Sequence, residues 1–160
     1  MAKIYITEIS DEAYIEFSRA IDNLKANSKI TLEITSSGGD VYAALAFYDK
    51  IRTSKHKFTG VVFGWAASAG TLVFLGCHHR IMAPSSWLMF HEDTPSDTDN
   101  KPVGEVERIA KHSRRLENQW NDLLSKVTKL TSEEWQKLHA AETYLTAQEC
   151  LNLKIIEEIL

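Results

Sequence analysis

Between Phe58 and Cys77 the chain reads FTGVVFGWAASAGTLVFLGC, without one charged side chain. A stretch of that length belongs either in a bilayer or in a protein core. Gly60, Gly64, Gly70 and Gly76 punctuate it, and Val61, Val62 and Phe63 are strand formers. Small residues also occur in membrane helices, so the flanking segments must decide. On both sides the chain alternates short apolar strands with amphipathic helices. The run therefore reads as a buried strand followed by a buried helix, and no membrane span is expected.

The flanks give the architecture. Ile4 and Ile6 alternate within a first strand, Lys3 to Thr7. Ser10 can cap the helix that follows, whose buried stripe is Tyr14, Phe17, Ile21 and Leu24. Ile30, Leu32 and Ile34 alternate in a second strand, which runs into Thr35-Ser36-Ser37-Gly38-Gly39. Asp40 then caps a helix with Val41, Ala44, Leu45, Tyr48 and Ile51 on its core face. Phe58 to Phe63 is a third strand, and a small-residue turn at Gly64 leads to a helix from about Ser68. Arg80 to Ala83 and Trp87 to Phe90 read as two further strands, split by Pro84-Ser85-Ser86. Glu92 to Pro102 is a polar surface loop, and Val103 to Val127 is one long helix. Thr131 with Glu134, and Thr146 with Glu149, have capping-box spacing and open two short helices. The chain ends on a strand-like IIEEIL. This alternation predicts an α/β fold with a largely parallel sheet covered on both faces. No repeat, low-complexity tract or linker divides the 160 residues, so one domain, 1–160, is expected.

Eighteen basic and twenty-two acidic residues leave a net charge of −4, which argues against a general nucleic-acid binder. Two cysteines, Cys77 and Cys150, are too few for a disulfide scaffold, and MAKIYITEIS lacks the apolar core of a signal peptide. A cytoplasmic protein is expected.

Three places can carry chemistry. Gly38-Gly39, between a strand and a helix, allows close backbone approach and offers N–H groups near a helix N-terminus, or is simply a tight turn. The phosphate-loop pattern is absent. Ala66-Ala67-Ser68-Ala69-Gly70 sets a serine among small neighbours at a strand-to-helix turn. A nucleophile needs that openness, although Ser68 can equally be a plain N-cap. The N–H of Ala69 and the helix dipole favour negative charge there. His91 lies just past a strand, where open α/β sheets bind ligands; a lone histidine at a loop mouth is the simpler reading. Adjacent His78 and His79 make a poor metal pair, and Cys77 beside them adds no zinc spacing, so no metal site is expected. His56 reads as part of a basic surface turn, and His112 and His139 fall in the polar helical half.

Taken in order, these places resemble the Clp peptidase family, the proteolytic subunit of the ATP-dependent caseinolytic protease. Ile34-Thr35-Ser36-Ser37-Gly38-Gly39-Asp40-Val41 is similar to the family's I-N-S-P-G-G-x-V. Gly64-Trp65-Ala66-Ala67-Ser68-Ala69-Gly70 resembles G-Q-A-A-S-M-G, and Trp87-Leu88-Met89-Phe90-His91 resembles R-[VM]-M-I-H. Tyr144-Leu145-Thr146-Ala147 resembles F-[LM]-S-A, and Lys154-Ile155-Ile156-Glu157 resembles G-[LI]-[VI]-D. The resemblance covers nearly the whole chain after the first strand.

It implies a ClpP/crotonase-like fold of repeated β-β-α units, with residues 103–127 as a protruding handle helix. It implies a serine endopeptidase needing no metal or organic cofactor, with Ser68 as nucleophile, His91 as base, and Gly38, Gly39 and Ala69 as backbone oxyanion donors. The family's third catalytic residue is an aspartate two positions before F-[LM]-S-A; here that position is Glu142. Asp93 is the nearest local alternative. Ser37 replaces a proline, Trp65 replaces a glutamine, and Glu92 to Asn100 stands where the family has a glycine-rich stretch. The sequence opens almost directly on the first strand, so a missing or reduced N-terminal axial segment is expected. The implied partners are peptides or unfolded proteins, other copies of the chain in heptameric or tetradecameric rings, and an AAA+ ATPase unfoldase; no nucleic acid or membrane partner is implied. The apolar stripe of the handle, including Trp120, is expected to be an exposed interaction surface; the blander alternative is that the helix folds back on the sheet and the protein is a monomer. Two other functions fit the fold: a non-catalytic ring or assembly subunit, and a crotonase-type acyl-CoA enzyme.

Overall fold

The computed structural model describes residues 2–94 and 99–160. The part of the expected polar loop at residues 95–98 lies outside the described residues. The chain alternates strand and helix through its first half: β1 (Ala2–Ile6), α1 (Asp11–Asp22), β2 (Lys29–Ser36), α2 (Val41–Thr53), β3 (Lys57–Ala67), α3 (Ala69–Gly76) and β4 (His79–Met82). Then come β5 (Trp87–Phe90), α4 (Val103–Val127), α5 (Ser132–Ala140), β6 (Thr143–Thr146), α6 (Ala147–Asn152) and β7 (Glu158–Ile159). The predicted caps are made. Ser10 Oγ accepts from the Ala13 N–H at 3.2 Å and Asp40 Oδ1 from the Ala43 N–H at 2.8 Å. Thr131/Glu134 and Thr146/Glu149 form complete capping boxes.

Strands β1-β2-β3-β4-β7 form a parallel sheet in that order. The uncharged run is its middle. Strand β3 lies at the centre, and every residue of α3 is buried. Packing between the sheet and α2 replaces the bilayer that the composition alone allows. Among the described residues no helix is long and apolar enough to cross a membrane. Phe17, Phe47 and Phe58 fill the space between α1, α2 and the sheet, with the Phe17 ring centroid 5.0 Å from that of Phe47 and 6.1 Å from that of Phe58.

Strand β3 does not end at Phe63 as the turn signal predicts. The register moves from Ile34↔Val62 to Ser36↔Ala66, so β3 holds two more residues than β2 across that interval. Gly64, at φ 70°, takes up the bulge, and Thr35 Oγ1 donates to the Phe63 carbonyl at 2.7 Å. Beyond the bulge β3 leaves β4 and pairs with β5, Trp65↔Trp87 through Ala67↔Met89. Strand β6 then adds antiparallel to β5, with Phe90 opposite Thr143. The bulge thus builds a second, smaller platform of β3, β5 and β6, and its strand ends carry the chemical residues.

The expected exposed stripe of α4 is not exposed. Leu124 is buried, while Val106, Ile109, Leu116, Trp120, Leu123 and Val127 are half-buried, and only Val103 among these apolar positions stands in solvent. The helix folds back over the start of α2, where Tyr42 Oη and His112 Nε2 are 2.6 Å apart. Exposed aromatic surface occurs instead on the platform, at Phe63, Trp65, Trp87 and Tyr144. An ion pair between buried Arg80 and exposed Glu157 closes the opposite end of the sheet. The Arg80 guanidinium bonds to the Glu157 carboxylate and donates to the Val127 carbonyl at 2.7 Å, tying β4 to the end of α4 and to the approach to β7. His56, expected in a surface turn, is buried, and its Nδ1 accepts from the Ser28 N–H.

Candidate active site

Ser68 lies between β3 and α3 at φ 51° and ψ −127°, a conformation that costs a non-glycine residue free energy. Its N–H donates to the Met89 carbonyl at 2.9 Å, which fixes it against β5. Although it occupies the N-cap of α3, its side chain makes no cap bond, so the plain N-cap reading fails. The hydroxyl turns instead to His91, with Oγ 2.7 Å from Nε2. The pairing of β3 with β5 brings them together: Ala67 is in register with Met89, and Ser68 and His91 follow just past these partners. A hydroxyl donating to an imidazole nitrogen can lose its proton as its oxygen attacks an electrophile.

The glycine loop covers this pair. Gly38 and Gly39 have φ 106° and 150°. A Cβ on Gly38 would lie 2.9 Å from Ser68 Cβ and 3.2 Å from the Ala69 nitrogen, and one on Gly39 would lie 2.1 Å from the Ile9 carbonyl oxygen. Only glycine fits at either position. Ala69 is the first residue of α3, so its N–H has no intrahelical acceptor. Gly38, expected as an oxyanion donor, gives its N–H to Ser36 Oγ at 3.2 Å. Gly39 and Ala69 both line the cleft with Ser68 and His91.

Glu142 is in the left-handed region at φ 47°, just before β6. Continuing the Phe90↔Thr143 register sets it across from His91. Its carboxylate is exposed and accepts from Tyr144 Oη at 3.3 Å; no bond joins it to His91 among the described residues. Asp93 is likewise exposed, and its N–H donates to Glu117 Oε1.

Three further side chains line the cleft that the sequence does not assign to it. Trp120 and Asn121 of α4 and His139 of α5 line it together with Ser68 and His91. Burial pushes the His139 imidazole down to about 4, opposed by its bond to Trp135 O, while the nearby His91 lowers it further. Its Nδ1 donates to the Trp135 carbonyl at 2.9 Å, and its ring meets Phe90 edge-on at 5.7 Å. The signal for it was spacing: His139 lies four residues after Trp135, on the same face of α5. Burial also pushes the Cys77 and Cys150 thiols up to about 12, so neither is a nucleophile.

The Clp protease family model matches residues 4–160. This chain belongs to the Clp protease family. It is 27 % identical over 142 residues to the ATP-dependent Clp protease proteolytic subunit of Deinococcus radiodurans, covering 88 % of this chain and 69 % of that protein. It is 26 % identical over 159 residues to ATP-dependent Clp protease proteolytic subunit 1 of Thermobifida fusca, covering 98 % of this chain and 71 % of that one. A solved ClpP1 point mutant from Listeria monocytogenes superposes with a TM-score of 0.87 at 29 % identity, covering 99 % of this chain and 90 % of its own. The chain has the ClpP fold, and its relatives are proteases.

Proposed function

We propose that this Clp protease family member is a serine endopeptidase that cleaves peptides or unfolded chains. The contact between Ser68 Oγ and His91 Nε2 at 2.7 Å, held on a strained backbone, is the observation that carries the reading. His91 Nε2 takes the hydroxyl proton as Ser68 Oγ adds to the peptide carbonyl. The oxyanion that forms accepts from the Gly39 and Ala69 N–H groups, an interaction typically worth about 3 kcal/mol per donor in kcat. His91 then protonates the leaving amine, and water, activated by the same imidazole, releases the acyl group. For Nε2 to accept, Nδ1 must carry the proton, and Glu142 across the β5–β6 pair is the acceptor that orients it once its carboxylate leaves Tyr144. No step calls for a metal or an organic cofactor.

The relatives named as ATP-dependent proteolytic subunits support a larger assembly. In this reading copies of the chain close into heptameric or tetradecameric rings in the cytoplasm, with the Ser68 sites inside and an AAA+ ATPase supplying unfolded substrate. The exposed Phe63, Trp65, Trp87 and Tyr144 supply apolar surface for the contacts between copies. One observation favours the alternative of a non-catalytic ring subunit: Glu142 is bonded to Tyr144 rather than to His91. A fluorophosphonate probe separates the two. Labelling of the wild-type chain at Ser68, lost in Ser68→Ala and in His91→Ala, supports the peptidase. A folded, assembled wild-type chain that stays unlabelled and cleaves no short fluorogenic peptide refutes it.

A further inference from the structure

Past Phe90 the chain leaves the β5–β6 ladder, and His91 to Thr94 form neither helix nor strand. Outside the ladders, no backbone–backbone hydrogen bond reaches these four residues among the described residues. The Glu142 carboxylate is bonded to Tyr144, so it does not hold the His91 imidazole either. The base thus stands on irregular chain, yet its Nε2 lies 2.7 Å from Ser68 Oγ. The sheet alone does not fix that segment.

Helix α4 supplies the missing anchor. Glu117 Oε1 accepts from the Asp93 N–H at 3.0 Å, and Glu117 Oε2 accepts from Arg114 Nη1 at 2.6 Å. Arg114 Nη1 also donates to Glu92 Oε1 at 3.1 Å. Glu92, Asp93 and Glu117 all line the cleft with His91. Glu117 lies four residues before Asn121 and seven before Leu124, so it shares their face of α4, and both of them are buried. Its side chain is 15 % exposed, against 55 % for Arg114 and 46 % for Glu92. Exposed ion pairs contribute little by themselves, so the contact of Arg114 with Glu92 alone would carry nothing. The Glu117 bond is of another kind. It is charge-assisted and largely sheltered, and it reaches a main-chain N–H 24 residues away in sequence.

We propose that Glu117 is a positioning residue for His91, with Arg114 holding its carboxylate in place. The inference rests on the serine-peptidase reading and adds to it the group that sets the base. The ladder ends at Phe90 and Glu117 holds Asp93, so only His91 and Glu92 lie between the two anchors. Without the second anchor the base sits at the free end of a strand and its imidazole wanders from Ser68 Oγ. A misplacement of about 1 Å can lower a rate by about a hundredfold. The loss falls on proton transfer in the transition state, so it appears in kcat and leaves KM alone. The bond needs an acceptor at Glu117 and does not need its negative charge, which separates positioning from an electrostatic effect on the imidazolium.

The test compares two variants. Glu117→Ala removes the acceptor at a mid-helix site that suits alanine. Glu117→Gln keeps a carboxamide oxygen that can accept from the Asp93 N–H. Each is assayed for kcat and KM on a short fluorogenic peptide and for the rate of fluorophosphonate labelling at Ser68, per folded protein as judged by calorimetry. Glu117→Ala should lower kcat and the labelling rate at least tenfold, with KM within threefold of wild type, while Glu117→Gln should stay within threefold in all three. Glu117→Ser repeats the truncation if the alanine variant does not fold. A smaller loss in the truncated variant overturns the positioning role and leaves the peptidase standing. So does a loss carried by KM, which would assign Glu117 to substrate binding, and so do equal losses in Glu117→Ala and Glu117→Gln, which would mean that charge rather than the bond acts on His91. A wild type that cleaves nothing and stays unlabelled at Ser68 overturns both.

Discussion

Gly38→Ala is the substitution in which backbone strain meets the proposed oxyanion site. The new Cβ would sit 2.9 Å from Ser68 Cβ, 3.0 Å from the Ala67 carbonyl oxygen and 3.2 Å from the Ala69 nitrogen. None of these neighbours is the free end of a flexible side chain, so the loop itself must move. At φ 106° an alanine also occupies a region that L-residues rarely adopt, at a cost of about 1–3 kcal/mol. For a chain of this size that lowers Tm by roughly 3–9 °C. The larger effect falls on chemistry. The displaced loop either crowds the Ala69 N–H or carries the Gly39 N–H out of reach, and losing one oxyanion donor lowers kcat by about 10²–10³-fold. Gly64→Ala is the control. It has a positive φ of 70° but meets only Thr35 Cγ2, at 3.7 Å, away from the cleft. It should lose stability and keep its kcat per folded protein. The assay is kcat on a cleavable short peptide, with calorimetry on the same samples. A Gly38→Ala protein with kcat within threefold of wild type would refute the account of the oxyanion site, whatever its Tm.

Glu142→Gln should lower kcat by two orders of magnitude or more, because a neutral amide cannot stabilise the imidazolium. An unchanged rate in Glu142→Gln, with Asp93→Asn impaired, transfers that role to Asp93. The depressed proton affinity of His139 predicts an acid-sensitive fold. As pH falls below about 6.5 the unfolded chain takes up a proton that the folded chain refuses until about 4. Stability is therefore full above that window and declines through it, by up to about 3 kcal/mol. Urea midpoints at pH 7 and pH 5 should differ clearly in the wild type and much less in His139→Asn; equal pH dependence in both contradicts the burial argument. The capping carboxylates Glu134 and Glu149, both lowered by their bonds to the threonine caps, lose their contribution only at more acid pH, below the usual glutamate value.

The sequence was most legible where the structure is local. Caps at Ser10, Asp40, Thr131 and Thr146 depend on residues three positions apart, and all four form. The sheet order was legible as a class, since strands alternating with helices force parallel pairing. What the sequence hid is two-dimensional. Nothing between Phe58 and Ala67 announces that β3 changes partner at Gly64, because a bulge inside a strand and a turn after it use the same residue. The apolar stripe of α4 was found correctly as a stripe, but amphipathicity does not say what covers it. Here the molecule's own α2 and α5 do, and Trp120 becomes cleft wall rather than outer surface. The place of His139 is illegible for the same reason: it falls in a polar helical stretch of the sequence, while its neighbours in space are Phe90, Trp120 and Trp135.

The bulge in β3 links these features. Without two extra residues between Val62 and Ala66, β3 would continue beside β4, and Ser68 would emerge far from the end of β5. With them, the last residues of β3 cross to β5, and Ser68 and His91 leave two adjacent parallel strands in the same direction. The same crossing leaves room for β6 on the far side of β5, and so brings the Glu142 turn to the platform that bears His91. It also turns Trp65 and Trp87, which are partners in register, out toward solvent. One local irregularity thus brings Ser68, His91 and the Glu142 turn to one platform, and lays bare an aromatic surface behind them. Any contact between copies that pressed on Trp65 and Trp87 would act on the two strands that lead into Ser68 and His91, so the proposed assembly would be mechanically joined to the geometry of that pair through β3 and β5.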